Sequence, residues 1–162
     1  MNLSKLVLNL KELKLKDKPI LIGGGAMEYY GLRKSGHDLD IIISKRDKVR
    51  LVKEGYKLNL FGGKTEKDID STINFKKGKD NIDLVITLNQ NGYSYFKNKS
   101  KVIKGYPSLL VISLNQLLLT KKLAEKYSNQ KKHSRDVKLI LNKVKELNQK
   151  TIKKNNPKIN LS

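Results

Sequence analysis

With 162 residues and 38% apolar content, the chain can form one domain with a real core, and no apolar run approaches the roughly 18 to 20 residues of a membrane helix. It has no cysteine, which excludes disulfides, thiolate zinc sites and a cysteine nucleophile. The net charge of +20 comes from 35 basic residues, of which Arg33, Arg46, Arg50 and Arg135 are arginine and the other 31 lysine. Either a polyanion partner or the codon usage of an AT-rich genome, which also enriches Asn and Ile, accounts for that surplus. Base-specific readers favour arginine, so the lysines point to a general positive field that attracts nucleotides or RNA. The start Met1-Asn-Leu-Ser-Lys lacks the regions of a secretory signal, so the cytoplasm, or a host or virion compartment, is the expected location.

Leu3, Leu6, Leu10 and Leu13 recur at helical spacing, with Asn2 or Ser4 available as a cap. Pro19-Ile-Leu-Ile reads as a short strand ended by Gly23-Gly24-Gly25, and Ala26 to Leu32 as a short helix. Asp38 to Ile43 becomes a buried strand, and Lys45 to Gly55 a helix capped by Ser44 and stopped by Gly55. Leu58-Asn-Leu-Phe and Ile69 to Phe75 suggest strands around a Gly62-Gly63 turn, and Gly78-Lys-Asp-Asn is turn chemistry. Ile82 to Leu88 is a strand, Asn89 to Lys104 a polar loop with short extended pieces, and Leu109 to Ile112 strand-like.

Ser113 and Gln116 form a capping box for a helix that reaches about Tyr127, and Ser128–Ser134 is a polar break. Val137, Ile140, Leu141, Val144 and Leu147 then mark a last helix. The expected architecture is α/β (α+β): a small mixed sheet flanked by helices, with a C-terminal helical pair. The expected organisation is a single domain over 1–149, with a core at 17–112 and helices at 113–149. A flexible basic tail is expected at 150–162.

Three clusters carry chemistry. Asp38 and Asp40 are two apart on a strand and so point to one face. Paired carboxylates beside a buried strand are costly unless a cation binds them, and an oxygen-rich site suits magnesium or manganese rather than zinc. Two solvated aspartates at a loop entrance are the alternative. Asp83 sits inside Ile82-Asp-Leu-Val-Ile-Thr-Leu, where a lone charge wants a partner such as a cation shared with Asp38 and Asp40; an exposed strand end is the alternative.

Strand, Gly23-Gly24-Gly25 and helix form a potential phosphate cradle, because glycine lets backbone approach a ligand, although a flexible turn would read the same way. His37 and His133 lack ligand spacing and read as surface residues. Tyr29, Tyr30, Tyr93 and Tyr95 could stack on a base, with a core or surface role favoured for Tyr29 and Tyr30.

The stretch Ile20-Leu-Ile-Gly-Gly-Gly-Ala-Met-Glu-Tyr-Tyr-Gly-Leu-Arg-Lys-Ser-Gly-His-Asp-Leu-Asp-Ile-Ile-Ile resembles the first motif of the DNA polymerase β-like nucleotidyltransferase superfamily. That motif is a glycine turn followed by Asp-x-Asp on a strand. The flavour is similar to small bacterial, phage and toxin-type members related to the AbiEii toxins. Leu117-Leu-Leu-Thr-Lys-Lys-Leu-Ala and Lys132-His-Ser-Arg-Asp-Val-Lys-Leu-Ile resemble that family's Lys-Leu-x-Ala helix and Lys/Arg-Asp motif.

The resemblance implies the nucleotidyltransferase fold and metal-dependent transfer of an NMP from an NTP, with pyrophosphate release. Gly23, Gly24 and Gly25 would hold the triphosphate, and Gly25 stands where the family has Ser or Thr. Asp38, Asp40 and Asp83 would hold Mg2+ or Mn2+ and act in catalysis. Lys122 would contact nucleotide phosphates, and Asp136 would support Lys122 or the site. Lys122 shares the helix face of Leu118 and so should point coreward; a lysine snorkelling along the surface is the alternative. The acceptor could be RNA or tRNA, a protein or a small molecule, and a toxin-type role would add an antitoxin partner. An inactive protein of this fold that binds RNA through its basic surface is the rival reading.

Overall fold

The computed structural model describes residues 1–36, 38–60, 71–77, 80–87, 92–127 and 130–155. The chain forms two units, Met1–Ser113 and Leu114–Ser162.

The first unit runs α1 (Leu3–Glu12), β1 (Ile20–Leu21), α2 (Gly23–Tyr29), β2 (Asp38–Ile42), α3 (Lys45–Lys53), β3 (Leu58–Leu60), β4 (Ser71–Lys77), β5 (Asp80–Ile86), α4 (Gly92–Lys99), β6 (Lys101–Ile103) and β7 (Tyr106–Val111). The strands form one mixed sheet in the order β3-β4-β5-β2-β1-β7-β6. β2 runs parallel to β5, and β1 parallel to β7; the other pairs are antiparallel. Apolar side chains of the inner strands make the core: Ile20, Leu21, Ile41, Ile73, Leu84 and Val111 are wholly buried.

Local chemistry sets the helices. Asn2 caps α1, its side chain accepting from Lys5 N at 3.0 Å, and Leu6 and Leu10 turn inward. Ser44 caps α3, accepting from Asp47 N at 3.2 Å, and Gly55 follows at φ +93. Asp47 is wholly buried yet satisfied: it accepts from Lys16 N (2.8 Å), Asp17 N (3.0 Å) and Ser44 Oγ (3.0 Å). It therefore pins the link before β1 to the start of α3.

Several expectations shift. The glycines do not precede a helix at Ala26; they are the first turn of α2, whose first backbone bond is Ala26 N to Ile22 O at 3.0 Å. The expected loop at 89–104 contains a helix, α4, and its expected short extended piece is β6. Tertiary anchors override the weak propensity of Tyr-Ser-Tyr-Phe. Gly92 lies so close to Thr87 that a Cβ would stand 2.2 Å from its Oγ1, and Tyr93 Oη donates to Lys18 O at 2.8 Å. The Gly62-Gly63 turn, the glycine of the Gly78 turn and His37 lie outside the described residues.

The second unit pairs α5 (Leu114–Tyr127) with α6 (Lys131–Asn155). Helix α6 continues into the stretch expected as tail, and residues 156–162 lie outside the described part. Among the described residues no helix is long and apolar enough to cross a membrane.

Candidate active site

The parallel register of β2 and β5 pairs Asp38 with Asn81 and Asp40 with Asp83. Residues in register on neighbouring strands, and residues two apart on one strand, share a face. Asp38, Asp40 and Asp83 therefore stand on one face, while Ile41, Ile82 and Leu84 fill the core on the other. β4 extends the pattern, setting Asn74 beside Asp83 and Lys76 beside Asn81.

The carboxylates are answered by amides. Asn81 Nδ2 donates to Asp38 Oδ1, and Asn74 Nδ2 to Asp83 Oδ1, each at 2.7 Å. Asn74 Nδ2 also lies 2.7 Å from Asn81 Oδ1, which joins the two pairs. In a chain with 35 basic residues, neither Asp38 nor Asp83 takes part in a salt bridge among the described residues. Asn74 and Asn81 were not anticipated from sequence. Asn81 alone had a signal, the Asn81-x-Asp83 alternation that repeats the period of Asp38-x-Asp40, and Asn74 had none.

Gly23 brings the backbone to this face. Its φ is +54, and a Cβ there would stand 2.0 Å from Asp40 Oδ2, so the carboxylate rests against the glycine backbone. Gly24 is open, with nothing nearer its Cβ position than Ser35 at 3.8 Å. Gly25 is buried, and a Cβ would meet Leu21 Cδ1 at 2.6 Å. Residue 25 thus faces the core, so a hydroxyl there would be aimed at leucine rather than at a ligand.

By donor type the set suits a hard divalent ion: three carboxylates on adjacent strands, with no salt bridge to Asp38 or Asp83 among the described residues. Among the described residues, no group of three His, Cys, Asp or Glu side chains stands close enough to hold a metal ion as the side chains lie.

In the second unit Asp136, almost wholly buried, pairs with Lys121 Nζ at 2.8 Å. Lys122, expected to point coreward with Asp136 supporting it or the site, is exposed, as the alternative of a surface lysine has it. The inward position on α5 is one residue earlier than the spacing from Leu118 suggested.

The tyrosines act as anchors. Tyr30 Oη donates to Ile112 O at 2.8 Å, and burial, with Tyr29 second, pushes its pKa up to about 12. Tyr93 is likewise raised to about 12, first by burial and then by Asp17 and Asp47.

The mixed seven-stranded sheet with its helices has the nucleotidyltransferase fold by its likeness to a solved structure. The chain is similar to the crystal structure of ANT(2")-Ia in complex with adenylyl-2"-tobramycin, with TM-score 0.51 and 14% identity over 88% of this chain and 87% of that one. No family profile matches the chain, and no curated protein matches it in sequence.

Proposed function

We propose that the protein is a metal-dependent nucleotidyltransferase of the small toxin-related type, moving an NMP from an NTP to an acceptor in the cytoplasm. The observation that carries this reading is the register of Asp40 with Asp83, which sets Asp38, Asp40 and Asp83 on one face beside Gly23. The fold likeness to a protein solved in complex with adenylyl-2"-tobramycin supports it.

Asp38, Asp40 and Asp83 would hold Mg2+ or Mn2+, which when bound supplies charge neutralisation at the phosphates. At the triphosphate site Gly24 leaves open space beside the backbone, Gly23 admits the Asp40 carboxylate against the turn, and Gly25 lets that turn lie flat on Leu21 and Leu39. Asp83 takes the acceptor's proton. The acceptor oxygen then bonds to the α-phosphorus, and the bond to pyrophosphate breaks. Lys122 remains a phosphate-contact proposal, whereas the support supplied by Asp136 goes to Lys121.

Incubating the protein with each α-labelled NTP, magnesium and total RNA, cell protein or tobramycin should move label to one acceptor class. Asp40→Ala should abolish transfer and keep the wild-type circular dichroism spectrum. Undiminished transfer by that variant overturns the reading.

RNA binding without transfer is favoured by a different observation. Lys11, Lys14, Lys16 and Lys18 line a cavity of about 300 Å³, and Lys16, Lys18 and Lys97 one of about 500 Å³. Asp17, the acid between them, pairs with Arg46 at 3.3 Å. Lysines without nearby free acids are what a phosphate backbone needs.

A further inference from the structure

Gly24 lies between Gly23, which abuts Asp40, and a loop whose role nothing above explains. Arg33 Nη1 stands 3.9 Å, and Ser35 Cβ 3.8 Å, from where a Gly24 Cβ would be. Of the four arginines in this lysine-rich chain, Arg46 and Arg50 serve salt bridges around α3. Arg33 lies beside the glycine turn, with Nη1 donating to Lys34 O at 2.9 Å as one of its contacts.

The loop is held there by the helix it covers. Glu28, in the last turn of α2, accepts from Ser35 N at 2.8 Å and from Ser35 Oγ at 2.5 Å. Its other oxygen accepts from the amino group of Met1. These bonds, the amino group first and Ser35 next, push the Glu28 pKa down to about 2. The carboxylate is therefore ionised at neutral pH and grips the loop with charge-assisted bonds.

We infer that Arg33 forms a second wall of the triphosphate site, contacting phosphate oxygens across Gly24, and that Glu28 and Ser35 are positioning residues that hold it there. A planar guanidinium matches the oxygens of a phosphate, and a fork fixed by its loop loses less freedom on binding than a surface lysine does. The glycine turn is then bordered by acid on the Gly23 side and by a cation on the Gly24 side. This inference rests on the nucleotidyltransferase reading and extends it to residues that reading does not use.

Titration calorimetry of the full chain, with magnesium and the α,β-methylene analogue of each nucleoside triphosphate, tests it, with the matching monophosphates as controls. Arg33→Ala should weaken triphosphate binding roughly tenfold to a hundredfold, the worth of a charge-assisted hydrogen bond, and leave monophosphate binding unchanged. Arg33→Lys should recover part of the loss. Glu28→Gln should reproduce the triphosphate-selective loss with Arg33 intact, which a general weakening of the fold would not do. Unchanged triphosphate affinity in Arg33→Ala, or an equal loss for the monophosphates, overturns the inference and leaves the transferase reading standing. A wild-type protein that binds no triphosphate overturns both.

Discussion

Three consecutive glycines meet three different surroundings, and each tolerates a different change. Gly23→Ala combines a positive φ, costing at least about 1 kcal/mol for an L-residue, with a methyl driven into the Asp40 carboxylate. It should lower the melting temperature and abolish transfer together. Gly25→Ser presses on Leu21 and Leu39 and should destabilise without adding a phosphate contact. Gly24→Ser, with only ordinary contacts to meet, should melt like the wild type. Thermal melts of the three variants check this ordering, and equal melting temperatures would refute it. The acids at 38, 40 and 83 were visible in the sequence because a charge inside an apolar strand is conspicuous. Asn74 and Asn81 were not, because a neutral amide in a strand raises no such alarm until the register sets it beside a carboxylate.

Among the elements, strands and amphipathic helices followed the apolar periodicity: β2, β5 and β7, and helices α1 and α3, lie close to where the pattern sets them. Helix α4 was illegible, since its anchors at Thr87 and Lys18 are tertiary. The face of α5 was misread by one residue because its apolar residues occur in the unbroken run Leu117-Leu118-Leu119, which marks no single face. The structure turns Lys121 inward to Asp136, both largely buried. Asp136→Asn should therefore cost roughly 3 kcal/mol, as removing one partner of a buried pair does. Lys122→Ala should cost little, since Lys122 is exposed. Urea titration of the full chain compares them, and similar losses would contradict the assignment of the inward residue.

Across the whole molecule the net charge of +20 demands a control for any binding result. Reversing Lys16 and Lys18 to Glu should weaken single-stranded RNA binding, measured by anisotropy, more than reversing Lys45 and Lys53. Equal losses would mean that RNA feels only the overall field. Acid stability offers a second test. Glu28 falls from an ordinary 4.5 to about 2 on folding, so its contribution is complete above pH 4.5 and is lost as pH falls toward 2. Glu28→Gln should flatten the decline in stability over that window, and an unchanged profile would deny Glu28 its part in holding the loop.

Strand β1 is two residues long, yet it joins the sheet's two sides, pairing with residues 41–42 on one flank and 110–111 on the other. As the chain leaves the ribosome, the first flank can zip early, while the second must await synthesis of Val111. Until then Ile20 and Leu21 have one edge bare, so β1 is where a chaperone would find the nascent chain longest unfinished.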